Sequence, residues 1–140
     1  MNGKEKKYEE LLPQVAALID GEEDQVSVMA NVASVLHHAM GFFWTGFYVV
    51  CGDELRLGPF QGTVACMHIA RGRGVCGTAW EREETIVVPD VEQFPGHIAC
   101  SSESRSEIVV PVRNSAGKVC AVLDIDSREL ATFDDTDRRY

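Results

Sequence analysis

Glu107-Ile108-Val109-Val110-Pro111-Val112, then Asn114-Ser115-Ala116-Gly117-Lys118, then Val119-Cys120-Ala121-Val122-Leu123-Asp124-Ile125, is the stretch that decides the fold. Two β-branched, apolar runs flank a cluster of turn residues, which predicts an antiparallel hairpin. Working back from it, Thr85 to Val88 reads as a short strand. The region from Gly58 to Glu84 holds a possible strand near Cys66 to Ile69 and a short helix from about Val75 to Glu81. Phe42 to Val50 is aromatic and β-branched, Cys51-Gly52-Asp53 is a turn, and Glu54-Leu55-Arg56-Leu57 alternates as a half-buried strand does. Two amphipathic helices precede these strands. Tyr8, Leu11, Leu12, Val15, Leu18 and Ile19 stripe the first, with a late start or a kink expected at Pro13. Asp24 is a natural N-cap for the second, Val28, Met29, Val32, Val35, Leu36 and Met40 form its stripe, and Gly41 stops it. Thr132 to Asp137 resembles the cap and first turn of another helix. Helices first and antiparallel strands after them predict an α+β fold with one sheet.

The 140 residues suit one domain, and no disulfide or structural metal is needed to hold a chain of this size together. With 45% hydrophobic and 25% charged residues, the composition is that of a globular protein. No apolar run approaches the ~18 residues of a membrane span. The basic N-terminus runs into Tyr8-Glu9-Glu10 where a signal peptide needs an apolar core, so a cytoplasmic location is expected. A net charge of -9 argues against nucleic acid and anionic membranes as partners.

Five cysteines in a reducing compartment point to chemistry rather than to a disulfide framework. Cys100 lies in Phe94-Pro95-Gly96-His97-Ile98-Ala99-Cys100-Ser101-Ser102, a loop-like polar setting. Cys66 and Cys76 share that kind of setting, Cys76 after Arg71-Gly72-Arg73-Gly74. Cys51 in a turn and Cys120 in an apolar strand read as incidental, Cys120 as core filling. Closely paired metal ligands are absent, and His97 near Cys100 is at most half a site, so no metal is expected. The Arg-Gly-Arg-Gly run is either an anion cradle or a tight turn into the helix. Asp124 and Asp126, two apart on a strand, point the same way, and Glu107 on the partner strand can join them. Two like charges on one face are costly unless a cation or a shared proton reconciles them. Trp44 and Tyr48 can share a face, with core packing as the simpler reading.

These residues occur in order with Trp44-x-Gly46-Phe47-Tyr48, Gly58-Pro59-Phe60-Gln61-Gly62, Ala65-Cys66, Gly72-Arg73-Gly74-Val75-Cys76-Gly77-Thr78-Ala79, Gly96-His97-Ile98-Ala99-Cys100, Ser106-Glu107-Ile108-Val109 and Val122-Leu123-Asp124-Ile125-Asp126-Ser127. Together they resemble the free methionine-(R)-sulfoxide reductases, built on a single GAF domain. The resemblance implies one domain over residues 1–140, with a central antiparallel sheet, N-terminal helices on one face and a ligand pocket under loops on the other. It also implies that the chain ends before the family's final helix is complete. By resemblance, Cys100 is the nucleophile, Cys66 resolves it as a disulfide, and Cys76 has a secondary role in thiol exchange or substrate contact. Trp44, Tyr48, Glu107, Asp124 and Asp126 contact the substrate, and Glu107 or Asp126 protonates the sulfoxide oxygen. Thioredoxin is the implied reductant, no cofactor is implied, and a homodimer is left open. The runner-up is a GAF ligand-binding or redox-sensing module without turnover. A thiol hydrolase using Cys100 and His97 is disfavoured, because a base three residues away in one loop seldom gains an orienting partner.

Overall fold

A computed structural model describes residues 3–94, 104–134 and 137. Helices α1 (Gly3–Ile19), α2 (Gln25–Met40) and α3 (Gly74–Arg82) accompany strands β1 (Trp44–Cys51), β2 (Glu54–Gln61), β3 (His68–Ala70), β4 (Ile86–Val88), β5 (Ser106–Arg113) and β6 (Val119–Ser127). The hairpin of β5 and β6 forms as expected, its turn closed by Asn114, whose side chain accepts from the Ala116 and Lys118 amides. The six strands form one sheet in the order β3-β2-β1-β6-β5-β4, every pair antiparallel. The sheet therefore places β1 beside β6, far from it in sequence. Among the described residues, no helix is long and apolar enough to cross a membrane.

Helix α2 begins at Asp24, whose carboxylate accepts from the Val26 and Ser27 amides, a cap that contributes about 1 kcal/mol. It ends at Gly41, whose φ of 72° is the left-handed stop that glycine adopts without strain. It lies against β1 and β2. Helix α1 starts well before Pro13 and is continuous through it, so the late start is not seen. Its stripe is only partly used: Tyr8 and Leu11 are buried, while Leu12, Leu18 and Ile19 are exposed. The reason is its position, packed chiefly on α2 rather than on the sheet. A second fastening comes from the far end of the chain. Lys4 Nζ lies 2.6 Å from Asp137 Oδ2, and the Tyr8 hydroxyl donates to Asp137 Oδ1 at 2.5 Å. Burial and the Asp137 hydrogen bond push the Tyr8 phenol far up, so it remains a donor.

Strand β2 runs past its expected end at Leu57 because it carries a bulge. Gly46 pairs with Phe60 but Tyr48 pairs with Leu57, so Gly58 and Pro59 are accommodated on the β2 side. Gly46 itself has no room for a side chain: a Cβ would sit 2.4 Å from Phe60 Cβ and 2.7 Å from the Trp44 ring. Gly46→Ala is expected to cost about 2–3 kcal/mol by overpacking, read as a lower urea midpoint with an unchanged slope.

Candidate active site

Strand register assembles the site. Trp44 of β1 pairs with Asp126 of β6, and Asp126 pairs with Glu107 of β5, so the three form one row across the sheet. Two residues along, Gly46 and Val109 flank Asp124. Side chains two apart share a face, which brings Glu107, Asp124 and Asp126 onto one wall with Trp44 and Tyr48. Helix α3 packs against β5 and β6 and lowers Cys76 onto this wall, with Sγ 3.9 Å from Glu107 Oε2. A cavity of about 40 Å³ opens there. Its cover includes loop residues Val64, Ala65 and Ser104, as expected, together with the first turn of α3.

The acids are held against their ordinary chemistry. Glu107 and Asp124 are 6% and 5% exposed. Burial pushes the Glu107 carboxyl well above the usual range, and the Asp124 and Asp126 charges push it further. Burial, then Asp124, does the same to Asp126. Glu107 and Asp126 therefore retain protons where free carboxylates have lost them. Cys76 is buried and free; burial followed by repulsion from Asp124, Glu107 and Asp126 keeps it a thiol. That state suits contact or hydrogen bonding better than nucleophilic exchange.

The aromatic pair does two things at once. Trp44 and Tyr48 are buried, stacked at 6.1 Å between centroids, with Phe60 stacked on Trp44 at 5.2 Å. They are core residues, and both also line the cavity. Their polar ends hold the loop between β2 and β3. The Trp44 indole N–H donates to the Thr63 carbonyl at 2.8 Å, and the Tyr48 hydroxyl to the Cys66 carbonyl at 2.9 Å. Cys66 in that loop is disulfide-bonded, whereas Cys51, Cys76 and Cys120 are free. Cys100, the expected nucleophile, and His97 lie outside the described residues. Cys120 is half-buried, its thiol donating to the Val112 carbonyl across the hairpin.

The Arg-Gly-Arg-Gly run is a tight turn, with Gly72 and Gly74 at positive φ and the Gly72 amide donating to the Gly77 carbonyl. Its two arginines part company. Arg71 lies over the Trp80 ring at 5.1 Å, while Arg73 lines the cavity beside the acids. Arg73 is a cavity-lining residue to which the sequence assigned no role of its own. Its signal lay in the same run, masked because the two arginines look alike there.

The GAF domain family model matches residues 24–139. The chain is 54% identical to GAF domain-containing protein A of Dictyostelium discoideum, over 98% of this chain and 87% of the relative. It is 45% identical to the free methionine-R-sulfoxide reductase of Saccharomyces cerevisiae, over 98% of this chain and 81% of that enzyme. The structure of the free methionine-R-sulfoxide reductase of Neisseria meningitidis in complex with its substrate superposes with a TM-score of 0.96 at 53% identity, covering 100% of this chain and 84% of that one. The buried acid row, the aromatic pair and the α3 cysteine thus sit on a GAF fold, and the chain belongs to the free methionine-R-sulfoxide reductase family of GAF-domain proteins.

Proposed function

We propose that this chain reduces free methionine-(R)-sulfoxide to methionine with thioredoxin as the reductant, in a reducing compartment such as the cytoplasm. The observation that carries this reading is the proton-holding row of Glu107 and Asp126 beside Trp44, next to a loop whose Cys66 is disulfide-bonded. The Cys100 thiolate attacks the sulfoxide sulfur while the acid pair protonates the oxygen. Oxygen passes to Cys100 as a sulfenic acid, and methionine leaves reduced by two electrons. Cys66 then attacks the Cys100 sulfur, water departs and a disulfide closes. Thioredoxin returns both thiols by exchange. The free state of Cys76 supports Cys66 as the resolving residue and Cys76 as a substrate contact.

The substrate's two charged ends suit the wall. Its ammonium is met by Asp124, its carboxylate by Arg73, and its methyl by the Trp44 ring. Arg73→Ala is expected to raise KM for free methionine sulfoxide about 10–100-fold, the worth of a charge-assisted contact. The test of the whole reading is NADPH oxidation coupled through thioredoxin reductase and thioredoxin. Free methionine-(R)-sulfoxide should drive it, and the (S) epimer and a peptide-bound sulfoxide should not. Tight binding of the free amino acid without NADPH consumption would return the chain to the non-catalytic GAF binders.

A further inference from the structure

We propose that Cys76, Glu107 and Asp124, with Asp126 beside them, form a binding site for a borderline-soft divalent cation such as Zn²⁺ or Cd²⁺, and that the ion excludes the substrate. One ligand atom from each of Cys76, Glu107 and Asp124 can be chosen so that all lie within 4.8 Å of one another, and all three residues are buried. The 3.9 Å between Cys76 Sγ and Glu107 Oε2 subtends about 120° at an ion ~2.3 Å from sulfur and ~2.2 Å from oxygen, close to tetrahedral coordination.

A second observation points into the same space. Asp126 Oδ1 is buried with no hydrogen-bond partner among the described residues, and Asp126 lines the cavity. The cavity's 40 Å³ exceeds the ~10–15 Å³ that one water needs, so it has room for an ion.

Charge and donor type choose the class. Three clustered acids in a buried site are relieved by a cation. A sulfur donor selects Zn²⁺ or Cd²⁺ over Mg²⁺ or Ca²⁺, which take oxygen alone. Binding involves no oxidation: the Cys76 thiol proton and those held on the acids are released to solvent as the metal bonds form. Ligand spacing along the chain conceals this set, because strands β5 and β6 and helix α3 bring together positions that no paired motif links. The site coincides with the proposed substrate site, and its test requires no turnover, so one reading can fail without the other.

The experiment titrates the full chain, with the Cys66 disulfide intact, with cadmium chloride alone. The ultraviolet sulfur-to-cadmium charge-transfer band reports occupancy. One equivalent should saturate the band. Cys76→Ser should abolish it, and Glu107→Gln, which keeps the side chain's shape, should weaken binding at least about tenfold. Cys51→Ser and Cys120→Ser should leave the band intact. Free methionine should raise the cadmium needed for half-saturation. A band that survives Cys76→Ser, a Glu107→Gln protein that binds as tightly as the parent, or indifference to saturating methionine would each overturn the proposal.

Discussion

Cys100→Ser is expected to abolish turnover, a loss of at least about 10³-fold, because a serine hydroxyl supplies neither a comparable nucleophile nor a sulfenic acid. Cys66→Ser should fail differently. Its nucleophile remains, so each chain should release about one methionine in a single burst and then stop, its sulfenic acid unresolved. Quenched-flow counting of methionine separates the two. A full burst from Cys100→Ser would remove Cys100 from the nucleophile's role, and continued thioredoxin-driven turnover in Cys66→Ser would remove Cys66 from the resolving one. Cys76→Ser should retain the burst and the recycling, since Cys76 is free beside a disulfide-bonded Cys66.

Glu107→Gln should lower kcat/KM by about 10²–10⁴-fold, the worth of a positioned general acid. It should also stabilise the fold, increasingly so as pH rises. In the folded chain Glu107 holds its proton above the pH at which the unfolded chain has released it. The native state then binds more protons than the unfolded state, so the acid's contribution to stability falls as pH rises from the ordinary carboxylate range toward the raised folded value. Glutamine cannot ionise and is spared that loss. Urea midpoints of parent and variant should therefore diverge toward alkaline pH, with the variant higher. Parallel midpoints across the range would mean that Glu107 is not buried against its neighbours. An acid that serves catalysis as proposed while weakening the fold would be the expected trade of stability for function.

Local pattern carried much of this architecture. The β5–β6 hairpin follows from two apolar runs and one turn, and its register sets Glu107 opposite Asp126. The two-residue repeat of a strand puts Asp124 and Asp126 on one face from their spacing alone. What spacing leaves out depends on contacts distant in sequence. Helix α3 crosses onto β5 and β6, so the placement of Cys76 and Arg73 over the acids rests on packing that spacing does not encode. The bulge at Gly58 and Pro59 is hidden because neither residue looks like strand, yet it lets β2 continue to Gln61. The exposed apolar residues of α1 are hidden because a periodic stripe states what can be buried, and packing on α2 uses only part of it. For Trp44 and Tyr48 the choice between core and site is a false one: each ring fills the core while its polar atom holds the loop of Cys66.

The clasp between α1 and Asp137 has a consequence for the order of assembly. Lys4 and Asp137 are 133 residues apart in sequence. A ribosome delivers the first of them long before the second. Contacts of such separation form late, because the long loop must be closed before they repay it. Helix α1 is thus made early and latched late.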